Sequence, residues 1–204
     1  MMPPLASPAE PPKKPALQEV PARQSLKRLV LEETKLSTGP LNLLTIAPGQ
    51  EVAVLRTHLR SLLAADLSRH LEGKFGVRPL QLDCLDQGEG GNFDLRTPEG
   101  AQNAAKKLRE ARSLAGLVLV LDGEAQSVLS GPEDITAFLT GYFGCLKGLM
   151  SSKHKAFCLM LQRGVQPHSP EGVTGEGVLG MFLAAAHEYP SMLFRSVALD
   201  AGTD

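Results

Sequence analysis

The chain has 204 residues, 43% of them apolar and 21% charged, with a formal net charge of −1. That length suits one domain with an accessory segment, and the apolar share is enough for a packed core. The near-neutral balance argues against a nucleic-acid or anionic-membrane partner, and no apolar run reaches the ~18 residues of a membrane span.

Residues 1–24 hold seven of the 15 prolines (Pro3, Pro4, Pro8, Pro11, Pro12, Pro15 and Pro21), mixed with Ala, Glu and Lys. Such a stretch lacks the apolar side chains to offset its ordering entropy and favours polyproline II, so it is expected to be a linker or tail. Its opening, MMPPLASPAEPPKKP, has no apolar core of a secretory signal. Cys84, Cys145 and Cys158 each sit in an apolar stretch without CxxC spacing and are expected to be reduced, buried thiols. Together these features predict a cytoplasmic protein.

From Ser25 the pattern turns globular. Leu29–Leu31 reads as a short strand, and Leu41–Ile46 (LNLLTI) as a better one that turns at Ala47-Pro48-Gly49. Val52, Val54, Leu55, Leu59, Leu62, Leu63, Leu67 and Leu71 recur at helical spacing and predict a helix over 51–73. Val77–Cys84 alternates as a strand, and the Gly- and Asp-rich 86–96 reads as a loop. Thr97-Pro98 caps and opens a helix to about Ala111. Leu114–Asp122 (LAGLVLVLD) is an uninterrupted apolar run, the mark of a parallel strand covered on both faces. A helix from Ile135 to Met150, a strand over 155–164, a helix from Gly175 to Tyr189 and a strand from Met192 to Asp200 complete the chain. The expected order is β-β-α-β-α-β-α-β-α-β. The fold class is therefore α/β and Rossmann-like, a mainly parallel sheet with helices on both faces.

In such sheets ligands sit at the carboxyl ends of strands. After the strand expected at 41–46, the loop Ala47–Glu51 offers one glycine, Gly49, where a dinucleotide site needs several, and Glu51 places a negative charge where phosphate would lie. Asp83 and Asp86 flank Cys84 and could meet a ribose or adenine edge. Gln87–Asn92 is glycine-rich but has no phosphate-loop spacing. Asp122, Gly123 and Glu124 follow one strand; Gln162, Arg163 and Gly164 follow another. His58 and His70 fall on the polar face of the helix expected at 51–73. Like His154, His168 and His187 they read as solvated, since none has metal-site spacing. Ser169 lacks the context of a hydrolase nucleophile. Tyr142 and Tyr189 read as packing residues whose hydroxyls reach solvent. No catalytic, cofactor-binding or metal residue emerges.

Four stretches, in order, suggest a family. Ser25–Leu36 (SLKRLVLEETKL), Ala115–Glu124 (AGLVLVLDGE), Cys158–Pro167 (CLMLQRGVQP) and Gly177–Asp200 resemble the first, structural subdomain of ketoreductases in polyketide and polyunsaturated fatty acid synthases. The resemblance covers about residues 25–200. It implies a truncated short-chain dehydrogenase/reductase relative that buttresses a second subdomain, where NADPH and the catalytic Ser, Tyr and Lys reside. On that pattern Glu171 falls near the Tyr slot and Gly175 near the Lys slot, and neither can do the proton transfer. The Asn-Ala-Gly element is replaced by Asp122-Gly123-Glu124. The resemblance thus implies a domain over 25–204 that binds no cofactor and packs against a catalytic ketoreductase subdomain, other megasynthase domains or a second copy of itself. An active reductase with its catalytic half elsewhere, or a free-standing nucleotide- or acyl-binding module using Gly49, Asp83 and Asp122, are the alternatives.

Overall fold

The computed structural model describes residues 46–58, 61–85, 87–88, 91–123, 129–151 and 156–199. The expected tail at 1–24 and the strand expected at 29–31 lie outside the described residues, as does the strand expected at 41–46 except Ile46, which is not in a strand. The elements are β1 (Glu51–Arg56), α1 (Leu62–Phe75), β2 (Arg78–Asp83), β3 (Gln87–Gly88), β4 (Gly91–Asn92), α2 (Pro98–Glu110), β5 (Leu114–Asp122), α3 (Pro132–Met150), β6 (Phe157–Arg163), α4 (Pro170–Glu188) and β7 (Leu193–Leu199).

Five strands form one parallel sheet in the order β2-β1-β5-β6-β7. The chain steps outward from β1 to β2, then crosses back to β5 and continues the other way. The switch point of this Rossmann-like, doubly wound sheet therefore lies between β1 and β5. β3 and β4 form a separate two-residue hairpin within the stretch expected to be loop.

All nine residues of β5 are buried, because the strand lies at the sheet's centre. Leu117, Leu119 and Leu121 join one core with Leu108 of α2, Phe138 and Leu146 of α3, and Phe182 of α4. Val118 and Val120 point the other way and pack with Val52 and Val54 of β1 and Ala64 and Leu71 of α1. Burial of each such side chain is worth about 1.5–3 kcal/mol, so these two layers dominate the stability of the fold.

The helix expected over 51–73 is the main correction. Residues 51–56 are a strand, and the helix begins only after Ser61, whose hydroxyl accepts the Ala64 amide. Val52 and Val54 serve one core while Ala53 and Leu55 serve the other, so β1 has no polar face. A strand buried on both sides shows no alternation and merged with the helical series behind it. Two helix starts also move: α3 opens at Pro132 and α4 at Pro170, five residues before Gly175.

Candidate functional site at the carboxyl edge of the sheet

Moving β1 to Glu51–Arg56 moves the carboxyl edge with it. Gly49 and Glu51 now stand at the opposite, amino edge. There Gly49 adopts φ 82° and donates its amide to the Gly76 carbonyl. A shallow groove of about 340 Å³ at that end is lined by Glu51, Arg78, Lys107, Glu110 and Arg112. The loop from β1 to α1 is Thr57–Ser61, which contains no glycine. The placement of Gly49 and Glu51 at a carboxyl edge of the sheet is thus corrected, whereas a tight turn at Ala47–Gly49 fits the structure.

The true switch point is filled by polar side chains that bond to one another. Asp122, at the end of β5, is 1% exposed. Its Oδ2 accepts the Ser61 hydroxyl at 2.7 Å and the Arg163 guanidinium at 3.1 Å. Ser61 thereby joins the end of β5 to the first turn of α1, since the same oxygen also caps that helix. Thr57 Oγ1 donates to the Val120 carbonyl at 3.1 Å. One strand over, Arg56 closes on Asp83 at 2.6 Å. The Gly123 amide donates to the Arg163 carbonyl at 2.8 Å, and a Cβ on Gly123 would fall 2.4 Å from the Gly164 carbonyl oxygen. The ends of β5 and β6 thus lie too close for any larger residue there.

His58 is 7% exposed in the turn after β1, not solvated on a helix. Its Nε2 lies 3.9 Å from Glu171 Oε1, in the first turn of α4, and Glu171 is itself 4% exposed. Burial holds the His58 imidazole below its ordinary value near 6.5, against an upward pull from Glu171 and a smaller one from Asp122.

Other candidates fall elsewhere. Asp83 is committed to Arg56, and Cys84 is in the core. Asp86 and Glu124 lie outside the described residues, as does His154. His70 is exposed on α1 with its ring edge-on to Phe75, and His168 and His187 are exposed. Ser169 caps α4 by accepting the Gly172 amide. Tyr142 is fully buried in α3, so its hydroxyl does not reach solvent as expected, and Tyr189 is half-buried at the end of α4. Gly175 packs against β6, where a Cβ would meet the Gln162 amide nitrogen at 2.0 Å.

The sequence reading brought out Asp122 and Arg163 but missed Thr57, His58 and Ser61 as part of the same edge. A signal existed: Ser61 is a favoured N-cap residue immediately before the Leu62-Leu63 pair.

This edge is poorly shaped for a dinucleotide. A pyrophosphate needs free amides at a helix N-terminus and glycines that let the backbone approach. Here the Ser61 hydroxyl takes one of those amides, and the Asp122 carboxylate sits beside the cap. Asp83, where a ribose-binding carboxylate would stand at the end of β2, is paired with Arg56. Among the described residues, no three His, Cys, Asp or Glu side chains group to hold a metal ion, and no helix is long and apolar enough to cross a membrane. Compared with protein-family models and with curated proteins, the chain matches none.

Proposed function

We propose that the chain is a non-catalytic structural subdomain of the ketoreductase type, a pseudo-ketoreductase that supports a catalytic ketoreductase or a neighbouring domain in polyketide or fatty-acid biosynthesis. The observation that carries this reading is the closed switch point. Ser61 and Arg163 both bond to Asp122 where a nicotinamide cofactor would bind, and Arg56 occupies Asp83. A fold whose binding crevice is bonded to itself retains its surfaces for packing. NADPH and the catalytic Ser, Tyr and Lys belong, on this reading, to the partner.

β7 is a natural place for that partner. Among the described residues it is an edge strand of the sheet and pairs only with β6, and Arg195, Ser196 and Ala198 along it are exposed. An edge strand of seven residues presents unpaired backbone groups that another chain can continue or cover.

Titrating the purified chain with NADPH, followed by the cofactor's fluorescence, tests the closed crevice. The expected result is no saturable binding up to millimolar cofactor. Saturable binding by this chain alone would overturn the scaffold role in favour of a nucleotide-binding module. Light scattering with an apolar-surface dye tests the partner: a strict monomer that binds no dye removes the need for one.

A further inference from the structure

His58 Nε2 is buried and has no hydrogen-bond partner among the described residues. The buried carboxylate that faces it, Glu171 of α4, stands 3.9 Å away, beyond hydrogen-bond reach. Asp122 at the end of β5 also acts on the imidazole by its charge, but its oxygens are taken by Ser61 of the α1 cap and Arg163 of β6. Ser61 itself is uncharged, and Arg60 lies outside the described residues. An imidazolium at this position would therefore lose its water without a hydrogen bond in exchange. On balance the packed site disfavours the charged ring, against the attraction of the Glu171 and Asp122 carboxylates.

We propose that His58 is a proton-sensitive lock on the carboxyl edge of the sheet. Neutral, it packs between the end of β1 and the first turn of α4. Protonated, it leaves that position and loosens the starts of α1 and α4. His58 lies at the same edge of the sheet as the Asp122–Arg163 pair and feels the Asp122 charge.

The sign follows from linkage. Burial lowers the proton affinity of the packed ring, so protons bind preferentially to the released state. Packing is favoured above pH 6.5 and loses ground as pH falls from there toward the packed-state value. Within that window the released fraction grows by at most about tenfold per pH unit, the limit for one proton. The proposal stands apart from the scaffold reading, since it concerns only this chain's own packing.

Hydrogen exchange on the full chain between pH 7.5 and 5, corrected for the intrinsic pH dependence of exchange, reads the lock directly. The reporters are the amides of Ala64 and Gly172, which bond to the cap hydroxyls of Ser61 and Ser169. The Leu119 amide in central β5 reports global opening. Ala64 and Gly172 should lose protection as pH falls below 6.5, by up to about tenfold per pH unit, while Leu119 keeps its own, and His58→Gln should abolish that dependence. Unchanged protection at Ala64 and Gly172 overturns the proposal. So does parallel loss at Leu119, which means global unfolding, or an unaltered slope in the variant. Should His58→Gln fail to fold, a histidine ring titration by NMR on the unaltered chain decides. A His58 that titrates at or above 6.5 refutes the lock.

Discussion

Tyr142 offers the sharpest test of the packing described here. Its ring lies fully buried in α3, stacked on Phe138 at 6.4 Å between centroids and 8° between planes. Its hydroxyl has no hydrogen-bond partner among the described residues. Burial, followed by the nearby Cys158, Cys145 and Cys84, pushes the phenol well above its ordinary value, so it stays neutral. Tyr142→Phe deletes only that oxygen. A buried, unsatisfied hydroxyl costs about 1–3 kcal/mol, which the substitution recovers. The void it leaves is on the order of 10 Å³ and costs a few tenths of a kcal/mol at ~24 cal/mol per Å³. The net expectation is a gain of about 1–2 kcal/mol, with the Phe138 stack retained. In urea unfolding followed by circular dichroism, the midpoint should rise by roughly half to one molar at unchanged slope. A midpoint that falls by as much refutes the reasoning, because it would mean that the hydroxyl bonds in the native core.

The cysteines and the switch-point carboxylate give two further tests. Burial pushes the Cys145 and Cys158 thiols up to about 12 and Cys84 well above its ordinary value, so at pH 8 none carries useful thiolate. An aromatic disulfide reagent should find no reactive thiol in native buffer and all three in urea; one thiol reacting at its unfolded rate would contradict this burial. Asp122→Ala takes the carboxylate from both Ser61 and Arg163. With the Arg163 side chain 16% exposed, the loss should sit near the low end for a broken buried pair, about 3 kcal/mol, and Asp122→Asn should restore part of it. A loss below about 0.5 kcal/mol in thermal or urea unfolding would show that the pairing holds nothing together, and the closed crevice would lose its support.

Legibility in the sequence followed the physics of each element. β5 was plain because nine consecutive residues are apolar, and only a central parallel strand buries all of them. α2 was plain because Thr97 caps it and Pro98 opens it. α4 carries the same signature in Ser169-Pro170, yet the apolar series beginning beyond Gly175 drew attention past it. β1 was hidden for the opposite reason: its residues serve two cores at once, so neither period of two nor a polar face marks it. That single misplacement put the carboxyl edge at Gly49 and sent His58 to a solvated helix face.

The candidate site was less legible than the fold because its bonds join residues far apart in the chain. Ser61 reaches Asp122 across 61 positions, Arg163 reaches it across 41, and Arg56 reaches Asp83 across 27. No local pattern announces such pairs; only the strand order brings the ends of β1, β2, β5 and β6 to one edge. Correcting that edge also changes the argument about cofactors. The loop Ala47–Glu51 has one glycine and one carboxylate but lies at the amino edge, and the loop at the carboxyl edge, Thr57–Ser61, has no glycine and a serine bonded to Asp122. A pyrophosphate needs free amides at a helix N-terminus, whereas here the Ser61 hydroxyl already accepts the Ala64 amide and donates to Asp122. The proposed closure of the crevice thus depends on the bonds that Asp122 makes at the switch point, across strands, and not on the residues of one loop.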